Sequence, residues 1–329
     1  MKSKFLFWLL ITTLLITAPP TEAQQAGKIP RIGLLLPWSP DSEVSLSFLK
    51  AFREGLQELG YVENRDLVIE QRYGEGVIER LPDVAAELVR LQVNLIVTSA
   101  GPPALAAKQA TKTIPIVFIF VPDPVGSKFV ISLARPGGNA TGLTHFAADL
   151  IGKRLEFLKE TIPRLARTAL LVNPDTQVAR LYADVTNTMA AKLGLSNQVF
   201  TARSREEMEP AFDAMVKAGM QAVTINSEGV AYQQREYIAN LAIARRLPLS
   251  VWSRETLEAG ALMSYGADQP AMCRRAAVFV HKILKGAKPG DLPVEEPQKI
   301  EFVLNKKTAK ALGLTFPNTL LVMASDVVE

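Results

Sequence analysis

Two turns carry the residues best suited to hold a small charged group: Ser99-Ala100-Gly101-Pro102 and Asp123-Pro124-Val125-Gly126. The first follows an apolar run, Leu95–Thr98, and precedes a helical one, Pro103–Ala110. Backbone N–H groups at a helix start point outward, and the helix dipole favours negative charge there. The turn therefore suits an anion such as a carboxylate. Gly101 permits close backbone approach. Pro102 and Pro103 carry no N–H, which leaves Gly101, Ala104 and Leu105 as donors, with the Thr98 and Ser99 hydroxyls beside them. The alternative is that Ser99 caps its own helix. In the second turn Asp123 could pair with an ammonium. Equally, Asp, Pro and Gly stand at the first, second and fourth positions of a type I turn, which the carboxylate would order.

Other polar and aromatic residues fall at the ends of apolar runs. Trp38 and Ser39 lie in Pro37-Trp38-Ser39-Pro40 after the first run, Trp252 follows a later one, and Tyr265 ends another. Aromatic rings at such places can sandwich a ligand or pack beneath loops. Asn173 and Asn226 can offer an amide to a ligand or close a turn. Catalytic signals are poor. His145, His281 and Cys273 are the only histidines and cysteine, and they have no metal-ligand spacing. No serine stands in Gly-x-Ser-x-Gly, and neither Gly-x-Gly-x-x-Gly nor a Walker A loop is present. Neither cofactor nor metal is expected.

The elements that must position these residues alternate. Strand-like runs at 31–36, 67–73, 95–98, 116–120 and 140–144 are separated by helical patterns at 46–59, 81–91 and 103–110. The alternation restarts with strands at 168–172, 197–201, 222–225 and 247–251, between helices at 178–193, 206–218 and 232–246. Continuous apolar runs mark strands covered on both faces, and ligands of such sheets bind beyond the strands' carboxyl ends. Two α/β units in tandem follow, each a doubly wound parallel sheet. A tail of strand 261–265, helix 269–284 and strand 302–304 completes them. The expected division is a first lobe of 30–145 plus about 260–292 and a second of 146–259 plus about 293–329, joined by several crossings. Such crossings form a hinge that can close around a ligand.

Residues 1–23 read as a secretory signal: Lys2 and Lys4, an apolar Phe5–Ile16, then Thr21-Glu22-Ala23. No later run reaches the roughly 18 apolar residues of a membrane span. With one cysteine and none just after the signal, a free periplasmic protein is expected rather than a lipoprotein. A net charge of +4, without a basic patch, disfavours nucleic acid as a partner.

The chain resembles the ABC-transporter substrate-binding protein family that includes tryptophan/tyrosine-type uptake proteins. The likeness rests on Phe52-Arg-Glu-Gly-Leu-Gln-Glu-Leu-Gly-Tyr61, Pro102-Pro-Ala-Leu-Ala-Ala-Lys-Gln-Ala-Thr111, Asp123-Pro-Val-Gly126, Leu133-Ala-Arg-Pro-Gly-Gly-Asn-Ala-Thr-Gly142 and Leu304-Asn-Lys-Lys-Thr-Ala-Lys-Ala-Leu-Gly313. It implies a type I periplasmic binding protein-like fold. It also implies a monomeric receptor that closes on a small solute, such as an amino acid, and docks on an inner-membrane ABC permease. The binding positions it implies are Ser99–Gly101, Asp123, Thr144, Asn173, Asn226 and Tyr265. Pro37–Pro40 is where ligand identity transfers least. Two rivals remain at this level: a ligand-binding partner of a membrane signalling receptor, and a periplasmic enzyme such as an isomerase.

Overall fold

The computed structural model describes residues 29–329 apart from 146, 147, 177 and 228. The signal read at 1–23 lies outside the described residues.

The first lobe is a five-stranded sheet of order β2-β1-β3-β4-β5, parallel throughout: β1 (Arg31–Leu36), β2 (Val68–Tyr73), β3 (Leu95–Ser99), β4 (Ile116–Ile119) and β5 (Ala140–Leu143). β3 and β4 are buried at every position, as a central strand covered on both faces must be. Helices α1 (Glu43–Glu58), α2 (Leu81–Arg90) and α3 (Gly101–Ala110) cover it. α1 lays Phe48, Leu49, Phe52 and Leu56 against the sheet, one apolar stripe at helical spacing, and Ser42 caps it by accepting from the Ser45 N–H.

The second lobe is a seven-stranded sheet of order β12-β11-β10-β9-β8-β6-β7. It takes in β6 (Arg167–Val172), β7 (Ser196–Thr201), β8 (Ala222–Ile225), β9 (Leu249–Val251), β10 (Met263–Ala267), β11 (Ile300–Asn305) and β12 (Asp326–Val328). β11 runs antiparallel to β10 and the remaining pairs are parallel, so this sheet is mixed where the sequence reading had it wholly parallel. Its helices are α4 (Ala148–Thr161), α5 (Ala179–Lys192), α6 (Arg205–Lys217), α7 (Gly229–Gln233), α8 (Arg235–Ala244) and α9 (Arg254–Glu258), then α10 (Gln269–Leu284), α11 (Lys306–Leu312) and α12 (Asn318–Met323). Of these, α10 packs away from the second sheet.

The chain passes between lobes after β5, after β10 and before β11. α10 returns to the first lobe, where Met272, Cys273, Ala276 and Phe279 join the α1 core. The two helices approach closely at Gly55, where a Cβ would come within 2.5 Å of the Arg274 carbonyl oxygen. Glu295 still bridges Leu143 of the first sheet, and β11 begins at Ile300 in the second. The Asp268 N–H donates to the Lys299 carbonyl at 3.1 Å, tying the second and third crossings together.

One expected boundary needs correction. The first lobe's returning segment does not start near 260, because β10 pairs with β9 and β11 in the second sheet. The strand continues the hydrogen-bond ladder of β9, and only the helix after it crosses. Cores of the two lobes are separate clusters, as two α/β layers around two sheets require. Gly142 and Gly266 each sit where a Cβ would fall 1.9 Å from a carbonyl oxygen, that of Phe118 and that of Trp252.

Candidate ligand-binding site

A cavity lies between the lobes, beyond the carboxyl ends of their strands. Trp38, Glu43, Val44, Ser47, Phe48 and Phe120 of the first lobe face Tyr232 and Glu255 of the second, with Gln269, Pro270 and Cys273 at the start of α10 between them. Trp38 follows β1 and Phe120 follows β4, while Tyr232 and Glu255 lie on α7 and α9, after β8 and β9. Trp252 is buried and lies behind Tyr232, ring centroids 6.1 Å apart, so it packs under the wall rather than lining it. An ion pair closes the rim between lobes: Arg235 Nη2 stands 2.9 Å from Glu43 Oε2 and lies over the Tyr232 ring at 5.2 Å.

The turn after β3 is built under strain. Ala100 has φ 68° and Phe120 φ 60°, left-handed values for non-glycine residues at two neighbouring strand ends. Such positions cost about 1–3 kcal/mol each and cluster at ligand clamps. The Ala100 N–H donates to the Ile119 carbonyl at 2.9 Å, which locks the two turns together. Thr98 and Ser99 are fully buried, and among the described residues neither hydroxyl has a hydrogen-bond partner. Ser99 therefore does not cap α3, whose N-cap is Ala100 with no side-chain bond. Ala104 is not a free donor as expected, since its N–H reaches the Ala100 carbonyl at 3.4 Å. Gly101 faces open space, with nothing within 4 Å of a would-be Cβ.

Asp123 is folded back on its own turn. Its Oδ1 accepts from the Gly126 N–H at 2.7 Å, and both carboxylate oxygens lie within 3.0 Å of where a Cβ on Gly126 would stand. It does not line the interlobe cavity. The ordering of the turn accounts for Oδ1. Ser39 likewise serves a turn, its carbonyl accepting from the Ser42 N–H at 3.2 Å and hydroxyl at 2.8 Å. Asn173 accepts from the Asp175 N–H at 3.0 Å through Oδ1, the turn alternative again. Thr144 is buried at the first crossing, donating its hydroxyl to the Pro122 carbonyl at 3.0 Å and its N–H to Glu295 at 3.0 Å.

Asn226 and Tyr265 are brought together by a residue that sequence reading missed. Arg154, on α4, is 4% exposed, with Nη1 donating to the Tyr265 carbonyl at 3.1 Å and Nη2 donating to Asn226 Oδ1. Its Nε has no partner, and among the described residues no carboxylate pairs with it. Burial pushes the guanidinium down to about 10, still protonated at neutral pH. A buried cation held only by neutral acceptors is costly. Its positive charge reaches His145, which burial foremost and Arg154 second push down to about 4. The signal was available: Ile151, Leu155, Leu158 and Ile162 form an apolar stripe, and Arg154 interrupts it at helical spacing. The Tyr265 ring packs edge-on to Phe157 at 5.2 Å and Phe302 at 5.9 Å, which ties it to the second lobe's core.

Cys273 offers no nucleophile. Burial pushes its thiol well above the ordinary range, so it stays protonated packing.

Residues 41–328 match the family model of ABC transporter substrate binding proteins. The chain belongs to that family. The family is one of substrate-binding proteins, and the chain shares the two-lobed type I periplasmic binding protein architecture of its solved relatives. A tyrosine-binding protein of Clostridioides difficile is 24% identical over 265 residues, 80% of this chain and 76% of that one. A domain from Streptococcus pneumoniae solved in complex with L-Trp matches with a TM-score of 0.85 at 25% identity, covering 92% of this chain and all 100% of that one. A conserved domain protein from Vibrio cholerae matches with a TM-score of 0.85 at 27% identity over 91% of this chain and 100% of its own.

Proposed function

We propose that this protein is the solute receptor of an ABC importer, exported to the periplasm, and that it captures an amino acid or related compound by closure of its lobes. The observation that carries the reading is the cavity with aromatic walls from both lobes, Trp38 and Phe120 against Tyr232, placed where α/β sheets bind ligands. Family membership and relatives that bind tyrosine and tryptophan support an aromatic amino acid as the solute. The buried Arg154 guanidinium, held by Asn226 and the Tyr265 carbonyl, and the strained turn at Ala100–Gly101 are the anion-favouring features we assign to the solute's carboxylate. No catalytic step is required: closure follows from the solute's preference for the closed state alone. The protein works as a monomer that presents its closed face to a membrane permease, without nucleic acid.

The test is native mass spectrometry of the purified protein for a co-purifying solute, followed by calorimetry against a panel of amino acids. L-tyrosine or L-tryptophan should give saturable heat. Heat from no amino acid removes the amino-acid version. Turnover of the bound solute would replace the receptor with an enzyme.

A further inference from the structure

Glu255 is the one carboxylate of the interlobe cavity left without a cation. Its Oε2 is buried and, among the described residues, has no hydrogen-bond partner. The arginines around it are spent on other acids: Arg254 on Glu301 at 2.9 Å and Asp326 at 2.8 Å, Arg235 on Glu43 at 2.9 Å, and Arg274 on Glu54 at 3.2 Å. Among the described residues, no ion pair includes Glu255. A buried carboxyl in that condition is expensive, either as an unpaired charge or as an unsatisfied polar group. Burial pushes its pKa up, hydrogen bonds from its own backbone N–H and from Ser253 oppose the rise, and the Glu258 and Glu301 charges add a little to it.

The walls beside it have a matching chemistry. Trp38, Phe120 and Tyr232 line the same cavity, and aromatic faces attract a desolvated cation. Tyr232 stays a neutral hydroxyl, because burial and then the Glu255 charge push it up. Cys273 is neutral as well, pushed up by burial first and Glu255 second. Glu43, the other acid of the cavity, is neutralised by Arg235. A ligand cation would meet one available carboxylate and an aromatic surround.

We propose that Glu255, with Trp38, Phe120 and Tyr232, forms a subsite for a cationic amine, and that the solute of this receptor carries one. This deepens the receptor reading and rests on it for the solute's entry between the lobes. An ammonium donates to Oε2, which ends that atom's lack of a partner, and its charge keeps the carboxylate ionised. Glu255 thereby takes the amine-partner role considered for Asp123, whose Oδ1 serves the Gly126 N–H.

Calorimetry of the purified protein and of Glu255→Gln tests the subsite with three probes: L-tyrosine, tyramine and 3-(4-hydroxyphenyl)propionate. The amine-bearing probes should bind Glu255→Gln at least about tenfold more weakly, the loss of one hydrogen-bonded charge, and the propionate should bind both proteins alike. Glu255→Asp keeps the charge with a shorter reach, so it should fall between the two, and it carries the test if the glutamine variant does not fold. Equal binding of amines to wild type and Glu255→Gln overturns the subsite. So does a wild type that binds neither amine. L-tyrosine binding that ignores the substitution overturns the subsite and leaves the receptor standing, as does a co-purified solute without an amine.

Discussion

Mild acid should destabilise this protein through His145. Both ring nitrogens of His145 are buried, and its ring packs edge-on to Phe120 with centroids 6.0 Å apart. Burial, then the nearby Arg154 charge, lowers its pKa from 6.5 to about 4, with a backbone contact from Phe120 pulling the other way. The unfolded chain takes up a proton near pH 6.5, and the folded chain resists until about pH 4. Below pH 6.5 the unfolded state therefore binds more protons, so stability is whole above that pH and is lost as pH falls toward 4. Linkage over a shift of about 2.5 units gives a loss of ~2 kcal/mol by pH 5 and ~3.4 kcal/mol once pH lies below 4. The assay is urea unfolding of wild type and His145→Gln at pH 7.5, 6 and 5. The glutamine removes this titration and leaves every other acid and base in place. Wild type should lose ~2 kcal/mol more than the variant between pH 7.5 and 5. Parallel pH profiles for the two proteins refute the reasoning, whatever the variant costs at neutral pH.

Further outcomes are expected from other sites. Asp123→Ala removes the acceptor of the Gly126 N–H, which should cost about 1 kcal/mol in unfolding free energy and leave solute affinity unchanged by calorimetry. A tenfold loss of affinity would return Asp123 to the site. Gly266→Ala places a Cβ 1.9 Å from the Trp252 carbonyl, backbone that cannot yield as a side chain does. It should cost roughly 3 kcal/mol, a fall of about 6–12 °C in the melting temperature by calorimetric scan. Glu43→Gln breaks the rim pair with Arg235, which is 80% exposed at the glutamate. Closure should weaken by at most about 1 kcal/mol, seen as an affinity loss of up to about fivefold in 20 mM salt that vanishes near 500 mM.

Much of the fold is written in local pattern. Arg31–Leu36, Ala222–Ile225 and Gln269–Leu284 form the elements their apolar spacing predicts, to the residue. The helix expected at 232–246 is instead broken in two at Gln234. α4 lies where the expected lobe boundary falls near residue 146, and an apolar stripe right after a lobe boundary gives little sign of a helix on its own. Missing α4 meant missing Arg154, although a charge on an apolar stripe is itself legible. Trp38 lines the interlobe cavity, as its place after a strand predicts by sheet topology. Glu255 was not, because its value depends on which arginines are already paired, and pairing across Arg254 and Glu301 or Arg235 and Glu43 spans separations no local window contains. Asn173 and Asp123 show why such positions are ambiguous: polar residues at strand ends close turns as readily as they meet ligands.

The return of α10 to α1 has a consequence in time as well as in space. Phe48 and Phe52 of α1 complete their packing only against residues near Cys273 and Ala277, more than two hundred positions later in the chain. During synthesis at about 5–20 residues per second, that apolar stripe stays without its final cover for on the order of ten seconds or more. The amino-terminal half alone cannot finish this face of its core, whereas the opposite face is built almost wholly from residues before 141. Late closure of this face of the first core delays its compaction without any separate device.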